Sequence, residues 1–336
     1  MIDVTMLFLD GGFASTAVGP MEIFRHAGVV WNMLTGADLV PRFRVTSASL
    51  TGQAVRCDGP LTITPATAIA AIDKTDLILV TSTGLDLDTA TARNARLLPW
   101  LQHWHQHGAR IAGVCSGVAL LAEAGLLNGK RATTHWGLAD RFRQYYPTVH
   151  WMPECMVTED GGLYCGGGVH AALDLSLYLV EKYCGHDTAV QCARAMLIET
   201  PRTWQAGFAI VPLRTHHHDA AIAQAQEWMH EHFHREVSVD DLAGRLAMSA
   251  RTFARRFKAA TGDTPLGYLQ KLRIALARRL LEHDYRTVQE ISRDVGYDDT
   301  TFFRHVFRRH TGVTPQAYRQ RFGTHLALIP VTSARS

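Results

Sequence analysis

The sequence lacks the features that mark membrane, secreted and zinc-binding proteins. No stretch approaches the roughly 18 consecutive apolar residues of a membrane-spanning helix. The residues from Met1 to Asp10 carry no basic charge and only a short apolar run, so a signal peptide is not expected. The six cysteines form no CxxC pair, which argues against a zinc site and against a disulfide scaffold. We therefore expect a cytoplasmic protein that needs neither a metal nor a cofactor.

Low-complexity tracts are also missing, and the composition is that of a folded protein, with 47% hydrophobic and 19% charged residues. A chain of 336 residues exceeds one ordinary hydrophobic core, since domains hold roughly 100–200 residues each. The pattern along the chain predicts a first domain over 1–200, a linker over 201–218 and a second domain over 219–325.

The net charge of +3 conceals an uneven distribution. Residues 219–322 hold 17 Lys and Arg against 13 Asp and Glu, whereas the rest of the chain holds 17 against 18. Eight basic residues and one acid lie between Arg251 and Arg279, and five arginines and no acid lie between Thr300 and Phe322. Such clusters are typical of a protein that binds a polyanion. On charge alone, a solvated helical face is the alternative.

The first 200 residues alternate short β-branched runs with helical stretches. This pattern predicts a parallel sheet with helices on both faces, a flavodoxin-like three-layer α/β sandwich. The strands are expected at Val4–Leu9, Phe43–Ser47, Leu77–Val80 and Arg110–Val114, followed by a hairpin within Met156–Cys165 that turns at Gly161-Gly162. The helices are expected near Val18–Val30, Asp88–His107, Gly117–Ala124 and Ala171–Tyr183.

The segment from Pro201 to His218 has no visible period and contains two prolines and one glycine, which predicts a linker. It ends in three consecutive histidines, His216, His217 and His218. Consecutive side chains cannot all face one metal ion on a regular element. We therefore interpret the triplet as solvated linker and not as a metal site.

The segment after Asp219 is helical and contains an internal duplication. The pattern Phe-x3-Phe-x4-Gly-x2-Pro-x2-Tyr begins at Phe253 and again at Phe303, an offset of 50 residues. Each copy is predicted to form a short helix, a tight turn and a second helix. Four small or apolar positions upstream also repeat, at an offset of 49 residues. They are Val239, Leu242, Leu246 and Ala247 in the first copy, and Val288, Ile291, Val295 and Gly296 in the second.

The second helix of each copy has one apolar face and one polar face. Ser249 is expected to cap the first of these helices, and Asp298 or Asp299 the second. The paired phenylalanines at i, i+4 are expected in the core, although a stacking surface for single-stranded nucleic acid is the alternative. A helix that presents Arg, Thr and His outward can lie in the major groove of double-stranded DNA. The predicted DNA contacts are Ser249, Arg251, Thr252, Arg255, Arg256, Lys258, Thr300, Thr301, Arg304, His305 and Arg308.

The run Val237–Phe322 resembles the DNA-binding domain of the AraC/XylS family of transcription regulators. The resemblance implies that Pro265–Glu282 is the long helix joining two helix-turn-helix units, whose recognition helices would then lie about one DNA turn (~34 Å) apart. It also implies a sequence-specific regulator for which RNA polymerase is a further expected partner. A helical bundle that binds no DNA is the alternative. The resemblance is carried by Leu242-Ala243, Met248–Lys258, Gly262-x-x-Pro265, Arg273-x4-Arg278, Leu280-Leu281, Ile291, Gly296-Tyr297, Phe303-x3-Phe307-Arg308, Gly312-x-x-Pro315 and Tyr318-Arg319.

In the first domain, Gly113-Val114-Cys115-Ser116-Gly117 stands between a predicted strand and a predicted helix. This is the context of a G-x-nucleophile-x-G elbow, in which a sharp turn exposes the central side chain. The helix N-terminus is expected to lower the pKa of the Cys115 thiol. His135, twenty residues later, is the residue type that activates a thiol.

The segment from Val4 to about Cys184 resembles the class I glutamine amidotransferase-like domain of the intracellular-protease (PfpI) type. Enzymes of that superfamily carry Asp or Glu where this sequence has Thr16, and their glycine-rich oxyanion loop is here altered to Thr81–Gly84. An uncharged Thr16 cannot serve as a carboxylate general acid or base. The resemblance therefore implies the fold of this superfamily but not its enzymatic activity. It is carried by Gly19–Phe24, the Cys115 elbow, Leu120–Leu127, Thr133–His135 and Gly166–Leu175.

Cys115 thus has three interpretations: it lines the pocket of a non-catalytic sensor, it is an inert remnant, or it performs thiol chemistry. We favour a sensor whose pocket is formed by Thr16, Gly84, Cys115, Ser116 and His135. The resemblance implies a small nitrogen-containing effector, such as an amino acid or a quaternary amine, and a homodimer formed through the first domain. The alternatives are a cysteine-dependent amidase or hydratase with an appended DNA-binding domain, and an architectural DNA binder whose first domain only dimerises.

Overall fold

A computed structural model describes residues 1–199, 204–208 and 217–323. The chain divides into two units, Met1–Ala206 and Gly207–Ser336. Most of the predicted linker 201–218 lies outside the described residues, and so does His216. In the described part of the chain, no helix is long and apolar enough to cross a membrane.

A mostly parallel seven-stranded sheet forms the centre of the first unit within its described residues. The strand order is β10-β11-β7-β6-β1-β2-β5, and only the β10–β11 pair is antiparallel. The four predicted strands and the predicted hairpin are confirmed. The strands of this unit are β1 Ile2–Leu7, β2 Phe43–Ser49, β3 Val55–Arg56, β4 Thr62–Ile63, β5 Thr67–Ala68, β6 Leu77–Val80, β7 Arg110–Val114, β8 Arg131–Ala132, β9 His150–Trp151, β10 Val157–Asp160 and β11 Leu163–Gly166.

Helices cover both faces of this sheet, as the sequence pattern predicts. One hydrophobic core, which includes Phe24 and Leu175, lies on one face, and a second, which includes Leu101 and Phe142, lies on the other. Central strands such as β6 are apolar at every position because both of their faces are buried. The helices of this unit are α1 Ser15–His26, α2 Val30–Thr35, α3 Leu87–Arg93, α4 Leu98–Gln106, α5 Val118–Glu123, α6 Ala139–Tyr145, α7 Ala171–Cys184 and α8 His186–Ala195.

The helical stretch expected near Asp88–His107 is confirmed, and it consists of two helices, α3 and α4. The first ends at Asn94, whose side-chain amide donates to the carbonyl of Ala90 at 2.8 Å. The second contains Pro99 in its first turn. A continuous helix would need an N–H at Pro99 to bind the carbonyl of Ala95, and proline has none.

The second unit is helical throughout its described residues and has two hydrophobic cores, one for each copy of the duplication. The long helix between the copies runs from Pro265 to His283, close to the expected bounds. It contributes Leu269 and Leu272 to the first core and Ile274 and Leu281 to the second. The helices of this unit are α9 Ala220–His232, α10 Val239–Arg245, α11 Ala250–Thr261, α12 Pro265–His283, α13 Val288–Asp294, α14 Thr300–Thr311 and α15 Pro315–Phe322.

Candidate functional site

The turn from β7 into α5 holds Cys115 at a backbone φ of +55°, which is uncommon for a residue other than glycine. Gly117 lets this turn approach the end of β6, because a Cβ there would lie 2.1 Å from the carbonyl oxygen of Thr81. A Cβ on Gly113 would lie 3.2 Å from the Cα of Val118, so this glycine lets the helix pack closely on the strand. The elbow geometry predicted from the glycine spacing is therefore present.

The Cys115 thiol is buried, with the residue only 1% exposed. Burial raises the pKa of this thiol to about 11, and hydrogen bonds with Ser116 offset the rise only in part. The expectation that the helix N-terminus lowers the pKa is wrong. The loss of hydration on burial raises the pKa by more than the hydrogen bonds from Ser116 lower it.

The loop after β6 has two backbone N–H groups that are occupied by side chains of the first unit. The N–H of Ser82 donates to the Thr16 hydroxyl at 3.2 Å, and the N–H of Thr83 donates to the Ser116 hydroxyl at 2.9 Å. The Thr16 hydroxyl in turn donates to the carbonyl of Phe13 at 2.7 Å. A site that stabilises an oxyanion needs N–H donors that are free to bind it. In this loop both donors are already engaged.

His135 follows Thr134, whose hydroxyl donates to the carbonyl of Cys115 at 2.9 Å. Among the described residues, no hydrogen bond joins His135 to Cys115. The Nδ1 atom of His135 accepts the N–H of Gly137 at 3.0 Å, which assigns the proton of the neutral ring to Nε2. Burial also lowers the pKa of His135. Because Nδ1 already accepts the N–H of Gly137 and Nε2 carries the proton, this neutral ring has no free nitrogen lone pair to accept the proton of a thiol.

The five residues predicted to line a ligand pocket differ in burial and in position. Thr16, Cys115 and Ser116 are buried: Cys115 hydrogen-bonds with Ser116, and the hydroxyls of Thr16 and Ser116 accept neighbouring N–H groups of the loop after β6. Gly84 is partly exposed at the end of the loop after β6, with a φ of +86°. His135 is partly exposed beside the elbow. Their role in binding a ligand stays a prediction.

An open cleft of about 520 Å³ lies beside Gly84, at the carboxyl end of β1. A Cβ on Gly84 would lie 2.7 Å from the carbonyl oxygen of Gly11, which lines the cleft. Arg56 and Arg93 are exposed and have no ion pair among the described residues. No motif marks these arginines, so sequence analysis missed them. The cleft is lined by Asp10, Gly11, Arg56, Cys57, Asp58, Gly59, Pro60 and Arg93.

The second helices of the two copies, α11 and α14, share their terminal structure. Ser249 caps α11 by accepting the N–H of Thr252, and Asp299 caps α14, so the predicted caps are confirmed. Both helices end at a glycine in the left-handed conformation, Gly262 and Gly312. The paired phenylalanines of each copy are fully buried, which excludes a stacking surface for bases at these positions. The duplication read from the sequence is a structural duplication.

The polar faces of α11 and α14 carry cations that are open to solvent. Within the described residues, the exposed cations of these two helices form no ion pair. Arg256 differs, because its guanidinium donates to both carboxylate oxygens of Asp219, at 2.7 and 3.0 Å. This contact joins α11 to the N-terminus of α9. The exposed members of the predicted contact set are Ser249, Arg251, Arg255, Lys258, Thr301, Arg304, His305 and Arg308, and Thr252 and Thr300 are partly exposed.

Sequence analysis missed one exposed aromatic residue on α14. Phe302 is 49% exposed and stands at the position that Thr252 has in the first copy. Its ring lies 6.0 Å from that of Tyr297. An exposed phenylalanine on a recognition helix can contact the methyl group of thymine. The signal in the sequence is an aromatic residue that falls outside the buried i, i+4 stripe.

Two family models match the chain. The model described as the DJ-1/PfpI family matches residues 4–182, and the model described as a helix-turn-helix domain matches residues 242–321.

Several curated proteins are similar to this chain. The HTH-type transcriptional regulator CdhR of Pseudomonas aeruginosa is 28% identical over 325 residues, covering 94% of this chain and 91% of that protein. The HTH-type transcriptional regulator GbdR of Pseudomonas aeruginosa is 26% identical over 333 residues, covering 98% and 87%. The HTH-type transcriptional regulator GlxA of Rhizobium meliloti is 30% identical over 220 residues, covering 65% and 67%.

Among solved structures, DJ-1beta of Drosophila melanogaster has a TM-score of 0.51 and 22% identity, covering 59% of this chain and 99% of that chain. A protein from Vibrio parahaemolyticus has a TM-score of 0.51 and 21% identity, covering 59% of this chain and 99% of that chain. These similarities establish the fold of the first unit.

Proposed function

The chain belongs to the DJ-1/PfpI family and is an AraC-family transcriptional regulator, and we propose that a small zwitterion bound by its first unit controls its DNA binding. The observation that carries this proposal is the open cleft with two arginines that lack an ion pair among the described residues. The DNA-binding part rests on the duplicated helix-turn-helix unit, and the effector and its site are inferred from the chemistry of the first unit.

The exposed polar faces of α11 and α14 suit contact with DNA. Arg255 lies two residues after Phe253, the first buried phenylalanine of its copy, and Arg304 directly follows Phe303, the first of the second copy. A guanidinium can bind the O6 and N7 atoms of guanine through two hydrogen bonds. Lys258, nearer the end of α11, is a compact charge that suits a phosphate. We propose that the arginines read bases and that the lysine positions the helix.

We propose that the first unit is not an enzyme. A catalytic thiol needs a thiolate, a base and free oxyanion donors. Burial raises the pKa of Cys115 to about 11, and Thr16 supplies no carboxylate. The N–H groups of Ser82 and Thr83 are engaged by side chains. A cysteine-dependent amidase or hydratase remains the competing function, because the elbow itself has the backbone shape of a nucleophile turn.

The charges of the cleft suit a molecule with a carboxylate and a cationic nitrogen. The guanidinium groups of Arg56 and Arg93 would bind the carboxylate, and the carboxylates of Asp10 and Asp58 would bind an ammonium or quaternary amine. A volume of about 520 Å³ falls within the usual range for small-molecule sites. The contact between Gly11 and Gly84 joins this cleft to the loop that surrounds the elbow.

The test uses the full chain and DNA fragments that it selects from a random pool. Glycine betaine and each of the L-amino acids are added in turn, and thermal stability and DNA affinity are measured with and without each compound. We expect at least one zwitterion to raise the unfolding temperature and to change DNA affinity by about fivefold or more. Replacing Arg93 with alanine should abolish both responses, because the carboxylate of the ligand loses a partner.

The matched control is Arg96→Ala, which removes an exposed arginine three residues away and outside the cleft. It should retain both responses. If no zwitterion changes either quantity, or if Arg93→Ala and Arg96→Ala respond alike, the proposed effector site is wrong. Turnover of a small amide at an ordinary enzymatic rate, abolished by Cys115→Ser, would favour the amidase function instead.

A further inference from the structure

The last described segment of the first unit is docked onto its strand ends. Trp204 forms an antiparallel bridge with Cys155, and the N–H of Gln205 donates to the carbonyl of Glu154 at 2.8 Å. Gln205 is only 2% exposed, although its neighbour Trp204 is 44% exposed. This short segment is therefore held by one deeply buried polar side chain between two more exposed residues.

The carboxamide of Gln205 is bound by four groups, which we call the carboxamide cradle. Its nitrogen donates to the carbonyl oxygens of Thr134 at 2.7 Å and Cys155 at 3.0 Å, and to the Thr133 hydroxyl at 3.1 Å. Its oxygen accepts the N–H of Trp136 at 3.4 Å. Three acceptors face the nitrogen and one donor faces the oxygen.

This arrangement selects a primary carboxamide by its chemistry. A carboxylate has no N–H to give to the two carbonyl oxygens and would be repelled by them. An ammonium group would satisfy the three acceptors but would leave the N–H of Trp136 without an acceptor. Gly167 provides the space, because a Cβ there would lie 2.6 to 2.7 Å from the carboxamide atoms of Gln205.

The carboxamide cradle shares its backbone with the elbow. Thr134, which accepts from Gln205 through its carbonyl, donates through its hydroxyl to the carbonyl of Cys115 at 2.9 Å. His135 lies between the two cradle residues Thr134 and Trp136 in the chain. A ligand that moved the elbow or this backbone would therefore change the distances on which the four hydrogen bonds depend.

We propose that the carboxamide cradle is a binding site for a primary carboxamide, that Gln205 is its resident ligand, and that it latches residues 204–206 to the first unit. Residue 206 ends this unit, and the chain continues from it to the helix-turn-helix repeats. Effector binding releases the latch. This regulatory part rests on the proposed function, whereas the latch itself stands on the contacts of Gln205.

The test is hydrogen exchange of the full chain, followed by mass spectrometry of peptides that span residue 205. Gln205→Ala removes the carboxamide, and Gln205→Glu keeps its shape but replaces the donor with a carboxylate. We expect exchange at this segment to rise about tenfold or more in both variants, and at least as far in Gln205→Glu as in Gln205→Ala. Peptides from β1, β6 and β7 should exchange as in the unchanged protein, which verifies that the unit is folded.

The matched control is Gln106→Ala, which removes an exposed glutamine from the end of α4. It should leave exchange at residue 205 unchanged. Wild-type protection in Gln205→Glu would overturn the proposal, because the site would then recognise shape and not the amide. Equal exchange in Gln205→Ala and Gln106→Ala would also overturn it.

The regulatory part has its own measurement. DNA affinity of Gln205→Glu should differ about fivefold or more from that of Gln106→Ala. Equal affinities would overturn the regulatory part. This result can be told apart from a failure of the proposed function. The proposed function fails only if no zwitterion changes the thermal stability or the DNA affinity of the unchanged protein.

Discussion

A cysteine at a tight turn is a nucleophile only if its surroundings stabilise the thiolate. At Cys115 the backbone has the shape of a nucleophile turn, but the side chain is buried and its nearest polar partner is Ser116. Thr16 contributes a hydroxyl where a carboxylate would be needed for catalysis, and that hydroxyl is tied to Ser82 and Phe13. At the scale of single residues, the elbow has the backbone of a nucleophile turn around a buried thiol with a raised pKa.

The pKa of Cys115 gives a prediction about its reactivity. Folding favours the neutral thiol, so its contribution to stability is present below pH 9 and is lost as pH rises toward the folded pKa of about 11. At pH 8 only about 0.1% of this thiol would be thiolate. We expect slow alkylation by iodoacetamide at pH 8, with the rate rising about tenfold per pH unit toward pH 11. Mass spectrometry of the alkylated peptides measures this rate.

Cys155 is the internal control, because it is partly exposed whereas Cys115 is buried. Its alkylation should be faster than that of Cys115 at pH 8 in the folded protein. Preferential modification of Cys115 at pH 7 would contradict the buried, protonated thiol and would return thiol chemistry to consideration.

At the scale of elements, the duplication was predictable because its signals are local. Capping side chains, left-handed glycines and an i, i+4 aromatic pair each act within a few residues, so spacing alone reveals them. The strands were predictable for the same reason, since their apolar runs reflect burial on both faces. The break at Asn94 and Pro99 was also readable, because a proline in the first turn favours a new helix.

The features that sequence analysis missed depend on distant residues. Gln205 binds Thr133 and Thr134, about 70 positions earlier in the chain, and no periodic pattern connects them. The pKa of Cys115 depends on how completely the fold removes water from the sulfur. The cleft arginines, Arg56 and Arg93, belong to different elements and have no motif. Three-dimensional packing decides each of these properties.

The turns between the two helices of each copy give a prediction about stability. Ala247 has a φ of +52°, and Gly296 occupies the matching turn with a φ of +87°. A left-handed conformation destabilises the folded state by about 1–2 kcal/mol at a residue with a Cβ. Glycine avoids this strain, but its greater conformational freedom stabilises the unfolded chain by about 0.5–1 kcal/mol. We expect Ala247→Gly to stabilise the second unit by up to about 1 kcal/mol. Calorimetry of the full chain measures the unfolding transition.

The reverse change, Gly296→Ala, should destabilise the second unit by more than Ala247→Gly stabilises it. A Cβ there would lie 2.8 Å from the carbonyl oxygen of His234 and 2.9 Å from the Arg273 guanidinium, in addition to the backbone strain. Loss of stability in Ala247→Gly would mean that the alanine methyl makes a contact that outweighs its strain.

At the scale of the whole molecule, the charge is divided between regions with different tasks. Residues 219–322 carry a net charge of +4, from 17 basic and 13 acidic residues, whereas the rest of the chain carries −1. Several acids of the second region are engaged in its own structure: Asp219 binds Arg256, and Asp241 and Asp299 cap helices. The other cations on α11 and α14, such as Arg255 and Arg304, are exposed and form no ion pair among the described residues.

This division predicts how DNA binding by the full chain depends on salt and on sequence. Affinity should fall steeply with salt concentration, because each phosphate contact releases counterions. Lys258→Ala should weaken binding to all sequences about equally and reduce the slope of log K against log salt by about 1. Arg255→Ala and Arg304→Ala should instead each cost about 1–3 kcal/mol and relax the preference at one base position. Selection from a random pool, followed by titration at several salt concentrations, distinguishes the two effects.

Arg96→Ala, on the exposed surface of the first unit, is the control and should change neither the slope nor the selected sequence. The comparison is sharp because Arg255 and Lys258 lie on the same helix, three residues apart, and both are exposed. Both carry one positive charge, and they differ in the form of the cation: a planar guanidinium that can bind a guanine edge through two hydrogen bonds, and a compact, strongly hydrated ammonium that cannot. If all three variants lost affinity equally for every sequence, the base-reading face would have to lie elsewhere, and the exposed Phe302 and Thr301 on α14 would be the next residues to test.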